Sequence, residues 1–264
     1  MSGNRFFLSP EVFDTAEIHF PPVISRQICS VLRLKAGEYV TVLDNRGHCR
    51  EVELVNVDAR ATSGKACDIQ TASGEPTVRL YLCLALTQRE KFEWMLQKGT
   101  ELGVFRFFPL VTSRTLVQDT RGHDDKLVRW SKIIREAAEQ CGRSRIPEID
   151  PPQKLTDFLK HFPDFRGYIL YEKEQTVSLA GAYSRQLSNG KPDAALLIGP
   201  EGGFSPDEVE MAVKTGFHST SLGKRILRME TAALAACTIC MSLAGEMGAE
   251  NGLSGELNLS GRDK

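Results

Sequence analysis

Two segments concentrate the residue types that could do chemistry. The first is Ile198-Gly199-Pro200-Glu201-Gly202-Gly203-Phe204. Glycines at 199, 202 and 203 let a backbone approach a ligand and point amides at it, and Glu201 sets one carboxylate among them. The segment is neither G-x-G-x-x-G nor a Walker loop, because no Gly-Lys-Ser/Thr follows. A ligand loop is the sharper reading and a plain tight turn the simpler one. The second segment runs from Leu222-Gly223-Lys224-Arg225-Ile226 through Leu227-Arg228-Met229-Glu230-Thr231-Ala232. Three cations, Lys224, Arg225 and Arg228, crowd the loop that precedes the helix. Glu230 and Thr231 then fall in a first helical turn, where a carboxylate and a hydroxyl suit open amides and the positive dipole end. Alone, it reads equally well as a solvated basic turn plus a cap. Metal chemistry is not expected. The five His residues make no ligand spacing, and Cys237 and Cys240 sit in an Ala-rich helical run without a second pair, as buried helical cysteines would.

Both segments need strands before them and helices after them, and the surrounding pattern supplies these. Ala194–Ile198 is an apolar run that predicts a buried strand, and Ser205–Thr215 a helix with Ser205 as N-cap and Pro206 in its first turn. Ser219–Leu222 predicts a short strand and Met229–Met247 the last long helix. Upstream, Val78–Leu86 reads as a strand buried on both faces. Arg89–Leu102 reads as a helix capped by Gly103, with Phe92, Met95, Leu96 and Leu102 on one face. Val104–Val111 and Gly167–Tyr171 predict strands; Asp124–Cys141 and Val177–Leu187 predict helices. Strand–helix alternation of this kind predicts an α/β unit with a mostly parallel sheet covered on both faces. In such sheets ligands sit outside the carboxyl ends of the strands, where both segments fall.

Residues 1–75 have a different texture. Glu38–Leu43 and Arg50–Val57 read as strands joined through Asp44-Asn45-Arg46-Gly47, which is turn chemistry. Thr62–Gln70 gives another strand signal, and Val23–Leu34 one short helix ended near Lys35-Ala36-Gly37. Several short strands and one helix suggest a small barrel. Ala72-Ser73-Gly74-Glu75-Pro76 reads as a linker. The expected division is a barrel over 1–73, an α/β domain over 76–248 and a polar Gly/Ser-rich flexible tail over 249–264. No internal repeat is found.

Composition bounds what such a chain does. Its 264 residues are 41% hydrophobic and 25% charged, which excludes a mostly disordered chain. The net charge of -1 excludes a bulk basic field, so a nucleic-acid site has to be a local patch. Such a patch exists between Lys126 and Arg145, where Lys126, Arg129, Lys132, Arg135, Arg143 and Arg145 face only Glu136 and Glu139. Gly142 and Ser144 between arginines suit backbone wrapping of phosphates, though a solvated helix face has the same pattern. No apolar stretch is long enough to span a bilayer and the N-terminus lacks a signal-peptide core. Seven scattered cysteines suit a reducing compartment, so a cytoplasmic protein is expected.

Taken together with Thr100-Glu101-Leu102-Gly103-Val104, the two loop segments make the chain resemble the RsmE family over nearly its whole length. These are knotted, SPOUT-class methyltransferases that methylate uridine N3 in small-subunit (16S) ribosomal RNA with S-adenosylmethionine. Arg5-Phe6-Phe7 and Val31–Glu38 are similar to the family's PUA-like, RNA-binding N-terminal barrel, and Glu136–Arg143 to its central helix motif. Gln27 departs from the pattern, standing where a His is often found. The resemblance implies a C-terminal trefoil-knotted domain and a homodimer. It implies cofactor contacts from Leu170, Glu172, Ile198, Gly199, Pro200, Glu201, Gly202, Gly203, Leu222, Gly223, Leu227, Arg228 and Thr231. For catalysis it points to Arg228, as stabiliser of a uracil anion, and to Glu201, as proton acceptor or loop anchor. For RNA it points to Arg5, Arg26, Arg33, Arg135, Gln140, Arg143 and Arg145, and for partners to ribosomal RNA or the small subunit, with no membrane. Two alternatives stay open: a related RNA methyltransferase with another target, and a non-catalytic RNA-binding assembly factor.

Overall fold

The computed structural model describes residues 3–116, 118, 124–161 and 167–248; the tail expected over 249–264 lies outside them. The N-terminal elements are β1 (Arg5–Phe7), α1 (Pro10–Phe13), β2 (Glu17–His19), α2 (Pro22–Arg26), β3 (Tyr39–Leu43), β4 (His48–Asn56), β5 (Ser63–Ala66) and β6 (Gln70–Thr71). They form one mixed sheet of order β1-β3-β4-β5-β2, with β6 also on β4. β1 runs parallel to β3, and the other pairs are antiparallel. The β3–β4 turn has φ of +60° at Asn45 and +110° at Gly47. The Asp44 carboxylate holds it by accepting from the N–H groups of Arg46 and His48. One face packs Phe6, Phe13, Ile18, Phe20, Ile28, Val40, Val42, Val52 and Leu54. The helix expected over Val23–Leu34 stops earlier: α2 passes into a wide π turn over Gln27–Val31, and Arg33 takes a left-handed φ of +56°. The expected end at Leu34, before Lys35-Ala36-Gly37, is therefore about one turn late.

The second sheet is wholly parallel. Its strands are β7 (Leu80–Ala85), β8 (Arg106–Val111), β9 (Glu148–Ile149), β10 (Gln153–Lys154), β11 (Gly167–Leu170), β12 (Ala194–Ile198) and β13 (Phe217–Thr220). Their order is β10-β8-β7-β12-β11-β13, with β9 on β8. The helices are α3 (Arg89–Glu101), α4 (Asp124–Cys141), α5 (Leu155–His161), α6 (Leu179–Ser188), α7 (Pro206–Lys214) and α8 (Met229–Leu243). Period-2 alternation divides the strands between two cores. Leu80, Leu82, Leu84, Leu196 and Ile198 pack with Met95, Ile134, Tyr183 and Ala236, from α3, α4, α6 and α8. Cys83, Phe108, Ala195 and Leu197 pack with Phe158 and Ala212, from α5 and α7, on the other face. Covering both faces is what the near-continuous apolar runs of β7 and β12 require. The last strand begins and ends two residues before the expected Ser219–Leu222, so Leu222 and Gly223 are loop. The last helix stops at Leu243, not Met247.

Candidate functional site

β12, β11 and β13 lie side by side, so the loops leaving their carboxyl ends meet. Tyr171 and Glu172 follow β11, residues 199–204 follow β12 and residues 221–228 follow β13. They enclose a cavity of about 480 Å³, within the range of small-molecule sites. Of the residues expected to hold the cofactor, Thr231 alone does not line it. Thr231 is exposed on the first turn of α8, where its neighbours Glu230 and Ala232 take the inward positions. Nor do Glu230 and Thr231 cap that helix. Arg228 is the N-cap, and its side chain makes no capping hydrogen bond to the open amides.

The glycine loop is held from three sides. Gly203 donates to Pro200 O, closing a turn. Arg114, leaving β8, donates through Nη1 to the carbonyl oxygens of Gly202 (2.7 Å) and Phe204 (3.4 Å). Ser205 and Glu208 form a reciprocal capping box at the start of α7, and Glu208 also accepts from Ser113 N–H. Gly203 itself is required by conformation: φ is +67°, and an added Cβ would lie 3.0 Å from Glu172 Oε2. Gly202 is less constrained, since a Cβ there would make ordinary 3.5 Å contacts with Arg114.

Glu201 points into a cluster of donors. Its Oε1 accepts from the Thr87 hydroxyl at 2.5 Å and from Lys91 Nζ at 3.1 Å. Burial works to raise its pKa, but the bonds from Thr87 and Lys91 outweigh it and leave the carboxyl below its ordinary value. With Oε1 engaged by both Thr87 and Lys91, the geometry suits a loop anchor better than a base. Arg228 lines the cavity and is exposed, and its side chain has no ion-pair or hydrogen-bond partner among the described residues. Thr220 belongs to the lining, but its Oγ1 is fully buried behind it, without a hydrogen-bond partner among the described residues. Leu170, Ile198, Leu222 and Leu227 offer apolar walls, while Glu172 and Glu230 offer negative charge. This donor set fits S-adenosylmethionine, whose flat base, sulfonium cation and amino-acid end need apolar contact, negative charge and open amides. Thr87, Lys91 and Arg114 went unrecognised in the sequence. Their signal was position, since Thr87 and Arg114 each follow the carboxyl end of a buried strand.

Comparison with known proteins agrees with this geometry. The model of the RNA methyltransferase domain family matches residues 74–241. Ribosomal RNA small subunit methyltransferase E of Bacillus subtilis is 32% identical over 211 residues, covering 78% of this chain and 82% of that protein. Its namesake in Synechocystis is 33% identical, covering 86% and 74%. The chain belongs to the small-subunit ribosomal RNA methyltransferase E family. Two solved structures extend the likeness to nearly the whole chain. A methyltransferase of Legionella pneumophila, in complex with S-adenosylmethionine, superimposes with a TM-score of 0.82 at 30% identity, covering 92% of this chain and 98% of that one. The Neisseria gonorrhoeae small-subunit methyltransferase E, bound to the same cofactor, gives 0.80 at 27% identity, covering 91% and 97%.

The residues expected to meet RNA in this family member are placed unequally. Arg143 is a correction. It is only 3% exposed, with Nη1 donating to Thr100 O and Val104 O and the other nitrogens pairing with Glu75. A guanidinium used up inside the fold cannot reach phosphate. Ser144 is buried as well, and the segment is pinned by Glu75 Oε1, which accepts from Ser144 and Arg145 N–H. Arg145 is exposed but donates to Arg46 O at 2.7 Å. Arg135 is exposed and lies over the Phe7 ring, and Arg5 sits half-buried beside Gly142. Gln140, Arg26 and Arg33 are exposed. The Cys237 and Cys240 thiols are buried in α8, and burial pushes Cys240 up to about 12, so neither is reactive. Among the described residues no group of three His, Cys, Asp or Glu could hold a metal, and no helix is long and apolar enough to cross a membrane.

Proposed function

We propose that the protein methylates N3 of a uridine in small-subunit ribosomal RNA, with S-adenosylmethionine as donor. The observation that carries this reading is the cavity at the ends of β11, β12 and β13, with its apolar walls, its glycine loop and the carboxylates of Glu172 and Glu230. When bound, the cofactor supplies an electrophilic methyl group. Leu170, Ile198, Leu222 and Leu227 are read as its apolar contacts, and the amides of the glycine loop as its polar ones. Thr87, Lys91 and Arg114 keep that loop in shape. Uracil N3 loses its proton during the reaction, and negative charge spreads over the neighbouring carbonyl oxygens. Arg228 is read as the guanidinium that stabilises that charge, since it borders the cavity and has no internal partner.

The finer architecture belongs to the same reading. The C-terminal sheet is taken as the trefoil-knotted domain and the N-terminal sheet as a PUA-like barrel that helps hold RNA, joined near residues 74–76. The active form is taken as a cytoplasmic homodimer. Exposed cations of α4 and of the N-terminal sheet are the proposed RNA contacts. The deciding experiment is mass mapping of ribosomal RNA from a strain lacking the gene and from the same strain complemented. One methyl should be lost from a small-subunit uridine and regained on complementation. An unchanged methylation map overturns the assignment.

A further inference from the structure

N3 lies on the Watson–Crick edge of uracil, so, on the reading just given, the acceptor base has to leave its pair and stack before N3 is exposed. Extrusion opens a gap between the flanking bases. Proteins that unstack nucleic acid commonly fill such gaps with an apolar side chain. The loop over residues 223–228 carries one in the right place. Ile226 is 84% exposed, more than any other large hydrophobic among the described residues, and it stands on the lining of the cofactor cavity. Gly223, with φ of +110° and open space at its would-be Cβ, turns the chain at the start of this loop. Leu227 turns back and is half-buried, so the chain presents Ile226 outward.

The charge around Ile226 decides between partners. Lys224, Arg225 and Arg228 are all exposed, and none of their side chains has an ion-pair or hydrogen-bond partner among the described residues. An apolar tip ringed by unpaired cations complements a polyanion with stackable bases. A second copy that brought its own 223–228 loop onto this one at a two-fold axis would set the same three cations against themselves. We propose that Ile226 enters the RNA stack beside the acceptor uridine and fills the space the base vacates, with Lys224 and Arg225 on the adjacent phosphates.

The test uses the full chain with S-adenosylmethionine and small-subunit ribosomal RNA, free and assembled. Ile226→Ala should lower the single-turnover methylation rate about tenfold or more. Its affinity for S-adenosylmethionine by calorimetry should fall far less than the rate, and Ile226→Met should regain most of the rate. A benzophenone amino acid at position 226 should crosslink, on irradiation, to a nucleotide neighbouring the methylated one. Three outcomes overturn the proposal: an unchanged Ile226→Ala rate, a loss of cofactor affinity that accounts for the rate, or a crosslink only to a second copy of the chain. If the parent itself methylates neither form of the RNA, it is the methyltransferase reading that fails instead.

Discussion

Arg228 and Glu201 both border the cavity, yet their surroundings give them opposite characters. Arg228 spends none of its donors inside the described fold, whereas Glu201 Oε1 is engaged by Thr87 and Lys91. If Arg228 stabilises a uracil anion, Arg228→Ala should lower the single-turnover rate on the order of 10²–10³-fold at saturating cofactor and RNA. Arg228→Lys should recover little, because an ammonium lacks the planar fork. Near-parent rates for Arg228→Ala would make the residue structural. For Glu201 the expectation concerns pH. Its folded pKa lies below its unfolded one, so the network it anchors is in place above the unfolded value of about 4.3 and is lost as pH falls through the lower folded value. Between pH 6 and 9 it should therefore not titrate. The parent rate should rise with pH as the imide ionises, and Glu201→Gln should keep the shape of that profile while weakening cofactor binding. A profile flattened by Glu201→Gln would restore the carboxylate as base. Both residues were legible from the chain, because strand-to-helix loops rich in glycine and charge announce themselves. The difference in their surroundings was not, since it depends on Thr87 and Lys91, more than a hundred residues away in sequence.

At the scale of elements, legibility followed length and periodicity. β12 and α4 have the predicted bounds, because a five-residue apolar run and an eighteen-residue amphipathic stretch each suit one conformation. β1, β2, β9 and β10 are two or three residues long and hold no period to read, and α5 follows β10 with no intervening residue. The end of α4 misled for a different reason. Charge counting treats Arg143 and Arg145 alike, but Gly142, at φ +85°, turns the chain so that Arg143 points inward and Arg145 outward. Arg143 then ties three segments together: the 74–76 connection through Glu75, the end of α3 through Thr100 O, and the approach to β8 through Val104 O. Breaking one partner of a buried pair leaves an uncompensated charge, at a cost of about 3–5 kcal/mol. Glu75→Ala should therefore lower the denaturation midpoint strongly, and Arg143→Ala comparably. Arg145→Ala, at a solvent-exposed position, should shift it little. A Glu75→Ala protein as stable as the parent would show that the pair is not what holds the connection.

At the scale of the molecule, the two sheets are fastened to each other as well as joined in sequence. Phe7 N–H donates to Glu139, Arg135 lies over the Phe7 ring, and Ile146 N–H donates to Asn45 Oδ1. Burial raises the Glu139 pKa despite that bond, as expected for a carboxyl enclosed between the sheets. Contacts at several points hold the N-terminal cations in a constant relation to the methyl-transfer cavity, which is what a shared RNA-binding face needs. The net charge of -1 supplies no general attraction, so binding has to come from local groups. Lys126 and Lys132 on α4 are exposed, as are Arg26 and Arg33 on the other side of the connection. None of the four supports the fold as Arg143 does, so their removal reads out RNA contact without a stability penalty. Neutralising the α4 pair to Gln and the N-terminal pair to Gln should each weaken binding to small-subunit RNA. Each lost phosphate contact should reduce the slope of log affinity against log salt by about 0.7–0.9. The two double variants should combine additively if one RNA spans both sheets, because the groups share no partner. Calorimetry with S-adenosylmethionine should show parent-like cofactor affinity throughout. A salt slope that responds to the α4 pair and ignores Arg26 and Arg33 would confine the RNA to the C-terminal sheet and leave the N-terminal one without the role proposed for it.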